Sequence, residues 1–195
     1  MKFSGICSIS ILAQKQNCFV APLVFLWINV LHPILSIEMQ PLTALLIGAV
    51  IAIYQQTAVQ LEDFSDGFFE YCKFNCKNLQ SYAIAKAISV WVTTIFPMAF
   101  TLLFFGFSIT CVILVALQWM VLSICTSLLT IASPTENFKT TPLNLLLAWL
   151  PMLIAPIIFL TDYLHYYNEN SLLIFLGCDI IIMCAVFLPF HFCNQ

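Results

Sequence analysis

Residues 83–132 read AIAKAISVWVTTIFPMAFTLLFFGFSITCVILVALQWMVLSICTSLLTIA, and Lys86 is their one charged side chain. A hydrocarbon core about 30 Å thick is crossed by roughly 20 helical residues, so this run is too long for one span and long enough for two. It is interrupted only at Gly106, Phe107, Ser108 and Thr110, which predicts a tight re-entry turn between spans over 83–107 and 108–132. Transmembrane strands would show short segments of alternating polarity. Continuous apolarity predicts helices, whose backbone groups are all satisfied within the segment.

On either side, further apolar runs predict spans over 19–37, 42–60, 142–161 and 172–190. The whole chain is 62% hydrophobic and 8% charged. A soluble domain carries roughly 45–50% and about 25%, so the apolar content exceeds what one soluble core could bury. The expected fold is an all-α integral membrane protein, one six-span helical bundle over 1–195. Met1 to Asn17 is too polar for a signal-peptide core, and the run after it lacks a small-residue cleavage site, so the first span is expected to stay in the mature chain.

The chain has no arginine, and its cations are Lys2, Lys15, Lys73, Lys77, Lys86 and Lys139. All of them fall on one side of a six-span arrangement, while the loops at Glu38–Pro41, near Gly106 and at Thr161–Ser171 hold none. The bias of basic residues toward the cytoplasm then sets both termini there, together with the segment 61–81.

Chemistry-bearing motifs are sparse. Cys72 and Cys76 could share a helix face, but neither a second pair nor a nearby histidine completes a zinc site, and the other cysteines sit near a reducing face or within spans. The chain contains no glycine-rich phosphate loop, no HExxH and no GxSxG, so catalytic residues and a metal site are not expected. Any ATP used would be bound by another chain. Nothing in the composition points to nucleic acid.

The segment 61–81, LEDFSDGFFEYCKFNCKNLQS, is the one place where charges crowd. Ser65 or Asp66 is placed to cap a helix, with Phe64 and Phe69 as a hydrophobic staple if Ser65 is the cap. Asp63, Asp66 and Glu70 cluster about the first turn, where the helix dipole favours negative charge. Phe68, Tyr71, Cys72, Asn75 and Cys76 recur at helical spacing. The expected element is a short amphipathic cytoplasmic helix between spans two and three. It lies on the bilayer as an interfacial helix, or it docks into a groove on a soluble partner.

The stretch EDFSDGFFEYC followed by AKAISVWVTTIFPM resembles the haem exporter protein B (CcmB) family, the permease subunit of the cytochrome c maturation ABC transporter. The resemblance is carried by Asp63, Asp66, Gly67, Glu70, Lys86, Trp91 and Pro97. PLVFLWINVLHPILS is similar to the family's first span through Pro22, Phe25 and Pro33, and LLLAWLPMLIAPIIF to its fifth through Pro151, Pro156 and Phe159. The resemblance implies a multi-pass protein of the bacterial inner membrane, or of the mitochondrial inner membrane for an organelle-encoded chain. It implies an ABC ATPase subunit as partner, docking on Asp63, Phe64, Asp66, Gly67, Phe68, Glu70 and Tyr71. A haem-handling membrane protein, a small single-span protein and a periplasmic haem chaperone are the other implied partners. Haem is then a transported or handled ligand, and ATP belongs to the partner. The alternatives are an ABC-type permease for another substrate, such as a lipid-linked glycan or a drug, and a non-transporting membrane assembly factor.

Two isolated residues complete the candidates. Asp179 is the one acid well inside an apolar run, and an intramembrane carboxylate is a functional candidate by default. His165 lies among Tyr163, Tyr166 and Tyr167 in an outer loop; it could contact haem, although an aromatic belt at the interface is the simpler reading.

Overall fold

The computed structural model describes residues 20–34, 41–75, 79–132, 155–164, 166 and 169–193. Helix α1 spans Val20–Ile34, α2 Pro41–Ser65, α3 Phe68–Asn75 and α4 Leu79–Val90. A π-helical turn, Trp91–Ile95, continues α4 into α5, Phe96–Phe100, and a 3₁₀ stretch, Thr101–Phe105. Helix α6 is Ile109–Ala132, α7 Ala155–Leu164 and α8 Glu169–Cys193. No strand occurs among the described residues.

Among the described residues, four helical stretches are long and apolar enough to cross a membrane: Leu45–Ser65, Leu79–Phe105, Ile109–Ile131 and Glu169–Phe187. The fold is therefore that of an all-α membrane protein. The expected first and fifth spans, 19–37 and 142–161, fall partly outside the described residues.

The predicted re-entry turn is present and can be followed bond by bond. Gly106 is left-handed at φ 83°, its N–H donates to the Leu103 carbonyl at 3.2 Å, and the Phe107 N–H donates to Leu102 at 3.4 Å. These bonds satisfy the last carbonyls of the outgoing helix. Ser108 then starts α6, its Oγ accepting from the Cys111 N–H at 3.2 Å. The turn thus uses three residues because glycine ends one helix and serine caps the next.

Pro97 explains the break inside the third span. It offers no N–H to the carbonyl four residues back, and its ring would collide with that carbonyl in a regular α-helix. The chain widens into the π turn just before it, where the Phe96 N–H donates to the Trp91 carbonyl, five residues back. Trp91 anchors this turn by donating its indole N–H to the Ala116 carbonyl of α6 at 2.8 Å.

Helix α6 is the centre of the bundle, with α2, α4 and α8 packed against it. Trp119 of α6 fills the space over Gly48 of α2, where any side chain would overlap the indole ring, and meets the edge of Phe25 of α1 at a centroid distance of 5.7 Å. Ser171 of α8 donates to Asp162 of α7, joining those two helices. The outward faces of α1, α6 and α8 carry exposed apolar side chains such as Trp27, Ile109 and Ile180, as a lipid-facing surface requires.

Two boundaries differ from the sequence expectation. Helix α2 does not stop at 60 but runs to Ser65, and α4 starts at Leu79 rather than 83. Glu62 and Asp63 are thus the last turn of a long helix instead of the start of a loop.

Candidate functional site

The corner between α2 and α3 corrects the expected cap. Ser65 does not cap α3: its hydroxyl turns back and donates to the Glu62 carbonyl at 2.8 Å, and the Asp66 N–H donates to the same carbonyl at 2.9 Å. Gly67, left-handed at φ 72°, ends α2, and its own carbonyl accepts the first bond of α3 from the Tyr71 N–H at 3.1 Å. Glycine can take this conformation without a Cβ penalty, so one residue reverses the chain and neither Ser65 nor Asp66 is needed as a cap. The aromatic staple still forms across the corner, with Phe64 and Phe69 ring centroids 4.3 Å apart.

Asp63 is the second correction. It stands among the expected docking residues, yet its carboxylate is turned into the bundle. Lys86 of α4 donates to Oδ1 at 2.8 Å and lies 2.8 Å from Oδ2, while the Tyr82 hydroxyl donates to Oδ2 at 2.5 Å. Lys86 is fully buried, and Asp63 is at the margin of burial. A buried cation and carboxylate are tolerated only when paired and hydrogen-bonded, and here each oxygen of Asp63 has a charged partner. Helix α3 lies over this cluster. Its Phe69 and Cys72 pack with Tyr82 and Ala85, Phe69 meets the Tyr82 ring edge at 5.6 Å, and Phe68 lies 5.9 Å beneath the Lys86 ammonium.

The other face of α3 points outward. Asp66, Gly67, Glu70 and Tyr71 are exposed, as are Glu62 and Ser65 of α2, and Phe74 is 84% exposed. Phe68 is half-buried, its ring 6.4 Å from Tyr71 and 6.3 Å from Tyr82. Of the seven expected docking residues, Asp66, Gly67, Glu70 and Tyr71 therefore share an exposed patch with Phe74; Phe64 and Phe68 form its base, and Asp63 lies beneath it.

Inward from Asp63 runs a line of buried polar side chains that sequence reading missed. Gln56, Gln60 and Asp63 occupy positions i, i+4 and i+7 of α2 and share one face. Ser123 donates to Gln56 Oε1 at 2.9 Å, Gln60 Nε2 donates to Ser127 Oγ at 2.5 Å, and Ser127 Oγ donates to the Ala83 carbonyl of α4 at 2.9 Å. Both glutamines meet a serine 67 positions later, so α2 and α6 run parallel in register. Polar residues at helical spacing within apolar runs were the available signal.

Asp179 is buried on α8 against Gln118 of α6. A carboxylate only accepts, so the Gln118 amide faces it with nitrogen, donating to both oxygens at 2.7 Å. Beside it Cys125 Sγ lies 3.7 Å from Met183 Sδ. His165 lies outside the described residues.

The chain matches no protein-family model, no characterised protein and no solved structure.

Proposed function

We propose that the chain is the permease subunit of an ABC transporter acting in cytochrome c maturation. It is a six-span bundle of the bacterial or mitochondrial inner membrane, with both termini and α3 on the cytoplasmic side. A separate ATPase subunit binds and hydrolyses ATP, and this chain passes the movement to haem export or to release of a haem-loaded chaperone. A haem-handling membrane protein and a small single-span protein complete the assembly.

The observation that carries the reading is the two-faced build of α3. One face is held to α4 over a buried ion pair, and the other presents Tyr71 and Phe74 beside the carboxylates of Glu62, Asp66 and Glu70. A partner with apolar pockets rimmed by cations fits this face, and force applied to it reaches α2 and α4 directly. The carboxylates of Glu62, Asp66 and Glu70 suit anionic lipid poorly, which favours docking over an interfacial helix. The resemblance of 63–97 to the family motif supplies the choice of partner.

Two measurements test the reading. Deleting the chain from a host that makes c-type cytochromes should abolish their covalent haem and spare b-type cytochromes. Tyr71→Ala with Phe74→Ala should lower recovery of the ATPase subunit at matched membrane levels, because truncating an interface anchor costs about 2 kcal/mol or more, roughly thirtyfold in affinity. Normal haem staining in the deletion strain rules out the maturation role, and undiminished recovery rules out docking through α3.

A further inference from the structure

Among the described residues, four side-chain polar atoms along the α2–α6 contact have no hydrogen-bond partner: Gln56 Nε2, Gln60 Oε1, Trp119 Nε1 and Thr126 Oγ1. All four residues are at least 99% buried. Amide orientation does not remove the problem. Gln60 Nε2 is fixed by its bonds to Ser127 Oγ and to the Ser127 carbonyl at 3.2 Å, so its oxygen is left over. Gln56 has one bond, to Ser123, and either way round one atom of the amide remains.

These atoms are not scattered. Gln56 and Gln60 lie on the face of α2 that meets α6, and Trp119 and Thr126 are seven positions apart on α6, hence on one face of it, with a rise of about 10 Å between them. At the end nearer Asp63 the line runs into the Asp63–Lys86 pair, the exit from the buried region. Two of the atoms are N–H donors and two are oxygens able to accept. A cation would want oxygens alone and an anion donors alone. Water supplies both, and it is the species that satisfies buried polar groups in protein interiors. In a membrane the hydrocarbon side offers no substitute, so such groups are met within the protein or by water that reaches them.

We infer that the α2–α6 seam takes up water by opening: packed shut it leaves these atoms without room for water, and when α2 and α6 part it admits a file of water molecules from the Asp63–Lys86 end to the depth of Trp119. The bundle then has a polar interior path over part of its thickness, along which a proton or a polar group meets hydrogen-bonding partners instead of hydrocarbon. This does not rest on the docking of α3 or on any partner.

The test is hydroxyl-radical footprinting of the full chain in lipid nanodiscs, where bound water is the local source of radicals. Trp119 and Met98 are both fully buried, and methionine is the readily oxidised control. The expected result is Trp119 oxidation at least about tenfold faster than that of Met98, falling toward the Met98 rate in a Gln56→Leu/Gln60→Leu variant. As a second reading, Thr126→Cys and Leu128→Cys are compared in a cysteine-free background with a small methanethiosulfonate, which attacks the thiolate and so requires water. Leu128 is fully buried on the opposite side of α6 from Thr126. Thr126→Cys should react at least about tenfold faster. Trp119 as protected as Met98, or Thr126→Cys as silent as Leu128→Cys, overturns the inference.

Discussion

Replacing Lys86 by methionine nearly keeps the length of the side chain and removes its charge from the cluster with Asp63, Tyr82 and Phe68. Asp63 then loses its bonds at both oxygens to the ammonium and keeps only the Tyr82 hydroxyl. Stripping one partner from a buried pair costs about 3–5 kcal/mol. The Asp63 side chain retains 12% exposure, which leaves it some solvation and sets the expectation at the lower end, about 3 kcal/mol. For a chain of this size, each kcal/mol lowers the melting temperature by about 2–4 °C, so the variant should melt about 6–12 °C below the parent. Adding Asp63→Asn removes the stranded charge and leaves an acceptor for Tyr82, and the double variant should regain at least about half of the loss. A fluorogenic thiol dye reads the transition, because Cys72, Cys111 and Cys125 are buried in the native bundle. Cys72, between α3 and α4, should become reactive first. Two results refute the reasoning: Lys86→Met melting within about 1 °C of the parent, or a double variant no more stable than the single one.

Two further predictions use the same melting assay. Gly48→Ala forces a methyl group into the Trp119 indole and should cost about 1–3 kcal/mol; Trp119→Phe in the same chain should relieve part of it, and strict additivity would refute the contact. Gly67→Ala and Gly106→Ala meet open space, so each should cost only the left-handed backbone penalty, about 1–2 kcal/mol, with Asn costing less at both; a loss above about 3 kcal/mol at either site would mean an unrecognised contact.

Much of the fold was legible because hydrophobic length is a local property. The 83–132 run needed no partner to declare two helices, and Gly106 and Ser108 announced the turn between them through their own backbone and capping preferences. Helix α3, between α2 and α4, was legible as a helix for the same reason, with its Phe64–Phe69 contact. Its cap was not, because Ser65 and Asp66 have the right chemistry and lost only to the simpler corner that left-handed Gly67 makes.

What tertiary structure decided is which polar groups face one another. The order of residues along the chain says that Asp63, Lys86 and Asp179 sit in or beside apolar runs, a statement about single positions. That Asp63 turns inward to Lys86, 23 positions away, while Asp66 and Glu70 face out, depends on how α2 and α4 are rotated about their axes. Likewise Gln56, Gln60 and Gln118 read as isolated polar breaks until α6 brings Ser123 and Ser127 to two of them and α8 brings Asp179 to the third. Hydropathy is a sum along the chain and cannot hold that information. A hydrogen bond needs a donor and an acceptor within about 3 Å at the right angle, and only the packed bundle sets that distance.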